Sequence, residues 1–334
     1  MTDPETKAGA APAGPGRSLW ADARLRLRRS RMAMGALAVI AAYTALALYG
    51  EAVYWRCRLQ DRTPPYQQPR PGREYEPPGL VRAFAKLRAD PAGAGAAARL
   101  RAFAADALEH PLGTDNLGRD VLQRTIQGAR IAFQVGIVTS LIAIPIGVVL
   151  GCLAGYFGGR TDDVIVWLYS TFASIPGLLF ILAIAMAAGK GLAGVYLGIG
   201  LTTWVGICRL IRAEVLKHKV RPYVTAARAL GASHARILFR HILPNVTHVV
   251  IISFSLRFPA AISTEVFMSF LGIGAQGEPS WGIMISNARL RLWQGIWWEM
   301  GAVTLAIFLV VLAFNLFGDA LRDALDPRLR DGRQ

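Results

Sequence analysis

The sequence is poor in cysteine and in acidic residues. Its 334 residues include three cysteines, Cys57, Cys152 and Cys208, and none of them forms a CxxC pair. A metal or redox centre needs thiolates that converge, so we interpret these cysteines as small apolar side chains. Only 22 acidic residues stand against 37 lysines and arginines, which gives a formal net charge of +15.

This positive charge does not indicate nucleic-acid binding. The chain lacks zinc-finger spacing and an interleaved basic–aromatic signature. Its lysines and arginines gather in short segments that flank apolar runs, as in membrane proteins. With 53% hydrophobic residues and a mean hydropathy of +0.36, the chain is too apolar for an ordinary soluble domain. We expect it to lie in a lipid bilayer and to have no nucleic-acid partner.

The sequence also lacks catalytic motifs. No P-loop, GxSxG or HExxH motif occurs. His241 and His248 are seven residues apart, but no third ligand accompanies them. The stretch "GTDNLGRD" fails as a calcium loop, because Asp120 stands where a glycine is needed. We therefore predict no enzyme activity, no catalytic residue, and no metal or cofactor bound by this chain.

Long apolar runs predict an all-α integral membrane protein. About 20 apolar residues are enough to cross the hydrocarbon core. Six spans would place both termini on one side, and the arginines within 24–31 put that side in the cytoplasm. The small-xxx-small pattern at 147–155 predicts close helix contact. The predicted spans are 32–54, 131–157, 163–188, 193–212, 246–270 and 300–318.

This topology divides the chain into segments on either side of the membrane. The long external loop would contain an extended, proline-rich stretch at 63–79 and a short surface helix at 96–110. The segments are a cytoplasmic basic N-terminal segment (1–31), the first transmembrane helix (32–54), the external loop (55–130), a core with five spans (131–318) that includes a cytoplasmic loop (213–245), and a cytoplasmic tail (319–334).

The cytoplasmic stretch "TAARALGASHARILFRHILPN" (225–245) is the most regular cationic segment of the chain. Gly231 divides it into two helical arms, Ser233 is a suitable N-cap for the second, and Pro244 should end it. A helix–glycine–helix segment could lie on anionic lipid or offer a rigid knob to a partner protein. Physical reasoning alone leaves both open. An apolar stripe at helical spacing comprises Ile237, Leu238, His241 and Ile242.

Ionisable residues inside predicted spans are candidates for function. Arg257 and Glu265 are eight residues apart in the fifth span and so lie near one helical face. A charge in hydrocarbon is costly and usually faces a bundle interior or a cavity. The two residues could be structural partners of other helices, or they could line a polar translocation path. Asn315 and Asp319 invite the same two interpretations, with the structural one favoured.

The cytoplasmic segment resembles the coupling motif of ABC importer permeases, in which an EAA triplet is followed by glycine and then by HILPN. "HPLGTDNLGRDVLQR" (110–124), "SFLGIGAQGEPSWGIMISNAR" (269–289) and "AFNLFGDALRDALDPRLR" (313–330) are similar to motifs of the dipeptide/oligopeptide (nickel) branch, in its second, C-type permease. Thr225 stands where that family usually has glutamate. The matching residues are Ala226, Ala227, Gly231, Ile237, His241, Ile242, Leu243, Pro244 and Asn245.

The resemblance implies a six-helix permease with a cytoplasmic coupling helix in the bacterial inner membrane, with both termini cytoplasmic. It would form a heterodimer with a second permease and work with two ATP-binding subunits, which hold ATP and magnesium, and with an external substrate-binding protein. The cargo would be a peptide or a related small solute. A stand-alone secondary transporter or channel is the alternative, but it needs inverted repeats or an intramembrane ion site, and the sequence shows neither.

Overall fold

The computed structural model describes residues 19–89 and 96–325, and these residues form helices joined by turns. Within them, five helices are long and apolar enough to cross a membrane, or six if one sharply bent pair forms a single span. This confirms the all-α membrane class. Residues 1–18 of the predicted N-terminal segment and residues 326–334 of the predicted tail lie outside the described residues.

The helices follow one another with few long connections. A π-helical turn (Ile237–Ile242) precedes α12, and a 3-10 turn (Arg289–Gln294) follows α13. The α-helices are α1 (Leu19–Arg29), α2 (Arg31–Leu59), α3 (Gly79–Ala89), α4 (Ala96–Leu108), α5 (Val121–Phe157), α6 (Gly159–Ser174), α7 (Gly177–Ala187), α8 (Leu192–Thr202), α9 (Trp204–Lys219), α10 (Pro222–Ala229), α11 (His234–Arg236), α12 (Leu243–Phe270), α13 (Trp281–Ala288) and α14 (Trp298–Leu325).

The first and last described helices meet at one end of the bundle. Leu27 of α1 packs with Leu321 and Leu325 of α14, and Ile251 near the start of α12 joins them. The connection from α9 to α12 therefore lies at this end too. The opposite end carries α3, α4, α13 and the start of α5.

Helix α5 is central and packs most closely against α9. Gly147, Gly151 and Gly155 face α9, and a Cβ built on Gly151 would lie 2.7 Å from the carbonyl oxygen of Cys208. Only glycine allows the two backbones to come this close. The small-xxx-small prediction of close helix contact is confirmed.

Helix α5 begins at Val121, ten residues before the predicted span 131–157. The external loop predicted over 55–130 is therefore shorter than expected at its end. The extra turns carry polar side chains that lower the hydropathy, yet these side chains are buried against protein rather than exposed to lipid. They are Arg124, Gln127 and Arg130.

The predicted span 163–188 is two helices, α6 and α7, bent by 92°. Pro176 stands at the start of α7, and Ile175 before it is extended, with ψ of 132°. Proline cannot continue a helix and disfavours helical geometry in the residue before it. The kink that Pro176 and Gly177 predict in this span is confirmed.

The predicted span 193–212 is also interrupted. Helix α8 ends at Thr202 and α9 begins at Trp204, so that Thr203 lies between them. Helix α9 continues to Lys219, which removes residues 213–219 from the predicted loop 213–245. Their mixed charge lowered the hydropathy without ending the helix.

The first and last long helices extend beyond their predicted spans. Helix α2 runs five residues past the predicted end of 32–54, and α14 runs seven residues past the end of 300–318. The first part of the predicted tail 319–334 is therefore helical. The charged residues in these turns lower the local hydropathy and therefore end the predicted span, but they are compatible with an α-helix.

The loop after α2 contains a helical hairpin. Helix α4 confirms the predicted surface helix at 96–110, whereas α3 was not predicted. Phe84 and Phe103 meet edge to face with centroids 5.1 Å apart, and Lys86 pairs with Asp106 at 2.7 Å. The stretch 63–78 before the hairpin is not helical, as its prolines predict, but it forms turns at 65–67, 71–72 and 74–75 instead of the predicted extended chain.

Candidate functional site

The segment between α9 and α12 begins with α10, which ends in a Schellman motif. The Ala232 amide donates to the Ala227 carbonyl at 3.1 Å, and the Gly231 amide donates to the Arg228 carbonyl at 3.0 Å. Gly231 has a φ of +76°, which glycine adopts at little cost. Gly231 therefore ends the first arm, as predicted.

The second arm starts at Ser233, whose hydroxyl accepts the amide of Arg236 at 3.4 Å, which confirms the predicted N-cap. The arm runs through the π-helical turn directly into α12. Contrary to prediction, Pro244 does not end this arm. It occupies the first turn of α12, where a proline is tolerated because its missing N–H costs least. The widened π-helical turn stands just before this proline.

One face of the segment is buried in a hydrophobic cluster. Of the predicted apolar stripe, three members are fully buried and His241 is half-buried. The Nδ1 atom of His234 also lies 2.9 Å from the hydroxyl of Tyr156 on α5. The segment is thus fastened to α5 and α9. The packed residues are Val224, Ala227, Ile237, Leu238 and Ile242 against Ile207, Ile211 and Val215 of α9.

The opposite face is open. Leu230 is 87% exposed at the end of α10, and Phe239 is 63% exposed on the second arm. Of the residues predicted to couple to a partner, Ala226, Gly231, Pro244 and Asn245 are exposed, while Ala227 and Ile237 are buried. The exposed four can touch a partner, whereas the buried two hold the segment in place.

Thr225 is exposed on the same open face, and its hydroxyl is 3.4 Å from the Arg221 carbonyl. The Asn245 side chain donates to the His241 carbonyl at 2.6 Å. This bond joins the last turn of the second arm to α12.

Arg257 contacts the interruption between α8 and α9. Its two terminal nitrogens donate to the carbonyl oxygen and to the hydroxyl of Thr203. Thr203 is the C-cap of α8, and a cation at a helix C-terminus is favourable. Arg257 therefore has a structural partner. A role in lining the translocation path stays a prediction.

Glu265 is buried, with 1% of its surface exposed. It accepts a hydrogen bond from Ser269 at 2.6 Å, and Ser280 also bonds its side chain. Ser269 in turn accepts the amide of Ala275 at 3.1 Å. Glu265 thus holds the connection 271–280 against α12. The sequence placed Arg257 and Glu265 on one face, but they serve separate contacts.

A charged cluster that the sequence did not predict lies at the opposite end of the bundle. Arg130 on α5 pairs with Glu278 at 2.7 Å and with Glu51 of α2 at 3.6 Å, and its guanidinium lies 4.1 Å from the Tyr54 ring centroid. Burial raises the pKa of Glu278, while Arg130 opposes that shift. The cluster joins α2, α5 and the connection 271–280.

The motif at 110–124 holds the preceding loop against the start of α5. Nδ1 of His110 lies 2.7 Å from Asp120, and Asp120 also caps α5 by accepting the amide of Gln123 at 3.0 Å. Arg70 donates to the other ring nitrogen of His110 at 2.9 Å. The motif is therefore structural. In the described part of the chain, no three His, Cys, Asp or Glu side chains converge as a metal site would require.

Comparison with known proteins adds the family context. The profile of the family described as "Binding-protein-dependent transport system inner membrane component" matches residues 147–331. A second profile, "N-terminal TM domain of oligopeptide transport permease C", matches residues 18–78. Together the two profiles reach both the first long helix and the segment between α9 and α12.

Individual relatives agree with these profiles. The chain is 32% identical over 317 residues to the oligopeptide transport system permease protein OppC of Bacillus subtilis, covering 94% of this chain and 91% of that protein. It is 41% identical over 223 residues to the dipeptide transport system permease protein DppC of the same organism, covering 66% of this chain and 70% of that one. It is also 41% identical over 224 residues to the glutathione transport system permease protein GsiD of Pectobacterium atrosepticum, covering 66% and 73%.

Among solved structures, an inward-facing form of the MetNI methionine ABC transporter superposes with a TM-score of 0.49 at 16% identity. The match covers 62% of this chain and 96% of that one.

Proposed function

Because the chain belongs to the binding-protein-dependent transport system inner membrane components, and within them to the C-type permeases of the peptide importers, we propose that it carries peptides or related small solutes across the membrane in an ATP-driven importer. It contributes the translocation path and no catalytic chemistry of its own. The names of its relatives, which transport oligopeptides, dipeptides and glutathione, support this class of cargo.

The observation that carries the proposal is the two-faced coupling segment, residues 222–245. Its buried face packs on α9 and is bonded to α5, whereas its open face presents Leu230. A force applied to the open face is transmitted to the membrane helices, since packed cores move as rigid units rather than deform gradually. This favours a protein partner over a lipid surface as the occupant of the open face.

The partners follow from this role. Two ATP-binding subunits would hold ATP and magnesium and receive the coupling segments, and an external substrate-binding protein would deliver the cargo. We place the chain in the bacterial inner membrane, with both termini and the coupling segment in the cytoplasm. When the ATP-binding subunits close, the segment would tilt α9 and α12 and expose the path to the other side, as a shift between two populated states.

A second permease is expected beside the bend between α6 and α7. Ser174, Ile175 and Pro176 at the bend are exposed in this chain. Irregular backbone at membrane depth is tolerated only where it is covered by protein or lines a water-filled cavity. The bend would therefore face the second permease or the path between the two.

Co-purification tests the proposal. Leu230→Asp places a charge on the open face and should lower the yield of co-purified ATP-binding subunits by about tenfold or more. Leu108→Asp is the matched control, because Leu108 is 76% exposed at the opposite end of the bundle, and it should leave that yield unchanged. Equal yields from both variants would contradict docking at Leu230.

Reconstitution separates the importer from a stand-alone secondary transporter or channel. Proteoliposomes with the complete complex should take up a labelled oligopeptide only with ATP present. Uptake by this chain without ATP-binding subunits, driven by an ion gradient, would favour the alternative.

A further inference from the structure

A polar groove lies at the end of the bundle that carries α3 and α4, and the function above does not use it. It has a volume of about 610 Å³ and lies between the last turns of α2, the connection 60–68 and the first turns of α5. Its walls are about equally polar and apolar. The lining residues used below are Tyr49, Val53, Arg56, Cys57, Arg62, Tyr66 and Gln127.

Two residues of the groove wall each carry a buried polar atom without a partner among the described residues. The Tyr66 hydroxyl and the Gln127 side-chain oxygen make no hydrogen bond there, although each residue is only 2% exposed. Buried polar groups are normally satisfied, and leaving one unmade is costly. Burial raises the pKa of Tyr66, so its hydroxyl stays protonated and can donate. Both atoms therefore lack a polar partner at the groove wall.

Two arginines give the groove its charge. Arg56 and Arg62 line it, and in the described part of the chain neither has a carboxylate partner. Two guanidinium groups and a phenol hydroxyl match the oxygens of a phosphate or a carboxylate. The groove therefore suits an anion.

The position of the groove narrows the choice of anion. Helix α2 has 29 residues and is about 43 Å long, whereas the hydrocarbon core is about 30 Å thick. Its last turns thus stand at headgroup level. Below the arginines the wall continues to Val53 and to Tyr49, which is 60% exposed. An anion with an apolar tail fits this wall, with its charge at the arginines and its tail along Val53 and Tyr49.

We propose that the groove binds an anionic phospholipid. The phosphate is held by Arg56, Arg62 and the Tyr66 hydroxyl, a headgroup hydroxyl donates to the Gln127 oxygen, and an acyl chain lies along Val53 and Tyr49. The site would fasten the connection 60–68 and α2 to the membrane surface. The proposal does not depend on the cargo or on the coupling segment.

Cys57 allows the site to be probed directly. It lines the groove and is half-buried, while Cys152 and Cys208 are buried. The rate at which a water-soluble maleimide labels Cys57 is measured on the delipidated, assembled transporter, with added phosphatidylglycerol, phosphatidylcholine or inorganic phosphate. Phosphatidylglycerol should protect Cys57 at a concentration about tenfold lower than phosphatidylcholine, since each arginine favours an anionic lipid.

Variants assign that protection to the groove. Arg56→Gln with Arg62→Gln should abolish the difference between the two lipids, and Tyr66→Phe should weaken protection several-fold without changing the volume. Arg58→Gln is the matched control, because Arg58 stands on the same turn of α2 but bonds Tyr54 instead of lining the groove, and it should retain the difference.

Four results would overturn the proposal. Equal protection by the two lipids would remove the headgroup preference, and full retention of the preference in the double arginine variant would place it elsewhere. Protection by inorganic phosphate at the same concentration would assign the site to a free anion. Failure of Cys57 to react even without lipid would show that the groove is closed.

Discussion

Arg257 on α12 donates two hydrogen bonds to Thr203, the residue that separates α8 from α9, 54 positions earlier in the chain. The guanidinium bonds both the carbonyl oxygen and the hydroxyl of Thr203, which is the C-cap of α8 and the N-cap of α9. One side chain thus connects α12, which follows the coupling segment, to the start of α9, which precedes that segment.

A double-mutant cycle on this pair tests its contribution. Arg257→Met should lower the free energy of unfolding by about 1–3 kcal/mol, because it removes two hydrogen bonds from a charged donor to Thr203. Thr203→Val removes only the hydroxyl and should have a smaller effect. Thermal unfolding of the purified chain in detergent should give less than additive losses for the double variant. Strictly additive losses would mean that Arg257 does not bond the Thr203 hydroxyl.

The second prediction concerns the contact between α5 and α9. Gly151→Ala would place its Cβ 2.7 Å from the Cys208 carbonyl and force the backbones apart, at about 1–3 kcal/mol. Gly206→Ala on α9 is the control, because nothing lies within 4 Å of a Cβ there. That variant should be neutral or stabilising by up to about 1 kcal/mol, since alanine favours a helix. Similar melting temperatures for the two variants would contradict the close packing.

Glu265 supports a third prediction. Glu265→Leu removes the acceptor for Ser269 and should loosen the connection 271–280, which would raise its rate of proteolysis and lower uptake more than it lowers assembly. Glu265→Gln retains an oxygen that can accept from Ser269 and should behave nearly like the wild type. Full transport activity of Glu265→Leu would show that the contact between Glu265 and Ser269 is dispensable for transport.

Local features of this fold could be predicted from the sequence. Gly231 and Ser233 act on hydrogen bonds within a few residues of themselves, so their roles follow from residue type. The glycine spacing at 147–155 likewise predicted contact without naming the partner helix. Long apolar runs predicted the membrane helices, because the cost of crossing a membrane depends on the summed hydropathy of neighbouring residues.

Features that depend on distant residues could not be predicted. The interruption at Thr203 lies within an apolar run, and Arg257 stabilises it from another helix. Arg130 lowered the hydropathy of the first turns of α5, although Glu278 neutralises it 148 residues later. In the coupling segment, the sequence supplied candidate residues but not their division into exposed and buried ones, which needed the position of α9.

The coupling segment is the centre of this account, and Gly231 tests it most directly. Gly231 combines an exposed position with a φ of +76°. Gly231→Arg adds bulk to the open face and strain of about 1–2 kcal/mol, whereas Gly231→Asn tolerates this backbone conformation and adds less bulk. Both variants should insert normally, because no atom lies within 4 Å of a Cβ at this position.

The decisive measurement is the number of labelled peptides taken up per ATP hydrolysed by proteoliposomes that contain the complete complex. We predict that Gly231→Arg keeps hydrolysing ATP but transports on the order of tenfold fewer peptides per ATP, while Gly231→Asn stays close to the wild type. Unchanged uptake per ATP by Gly231→Arg, at wild-type protein level, would contradict the proposal that this segment couples the ATP-binding subunits to transport.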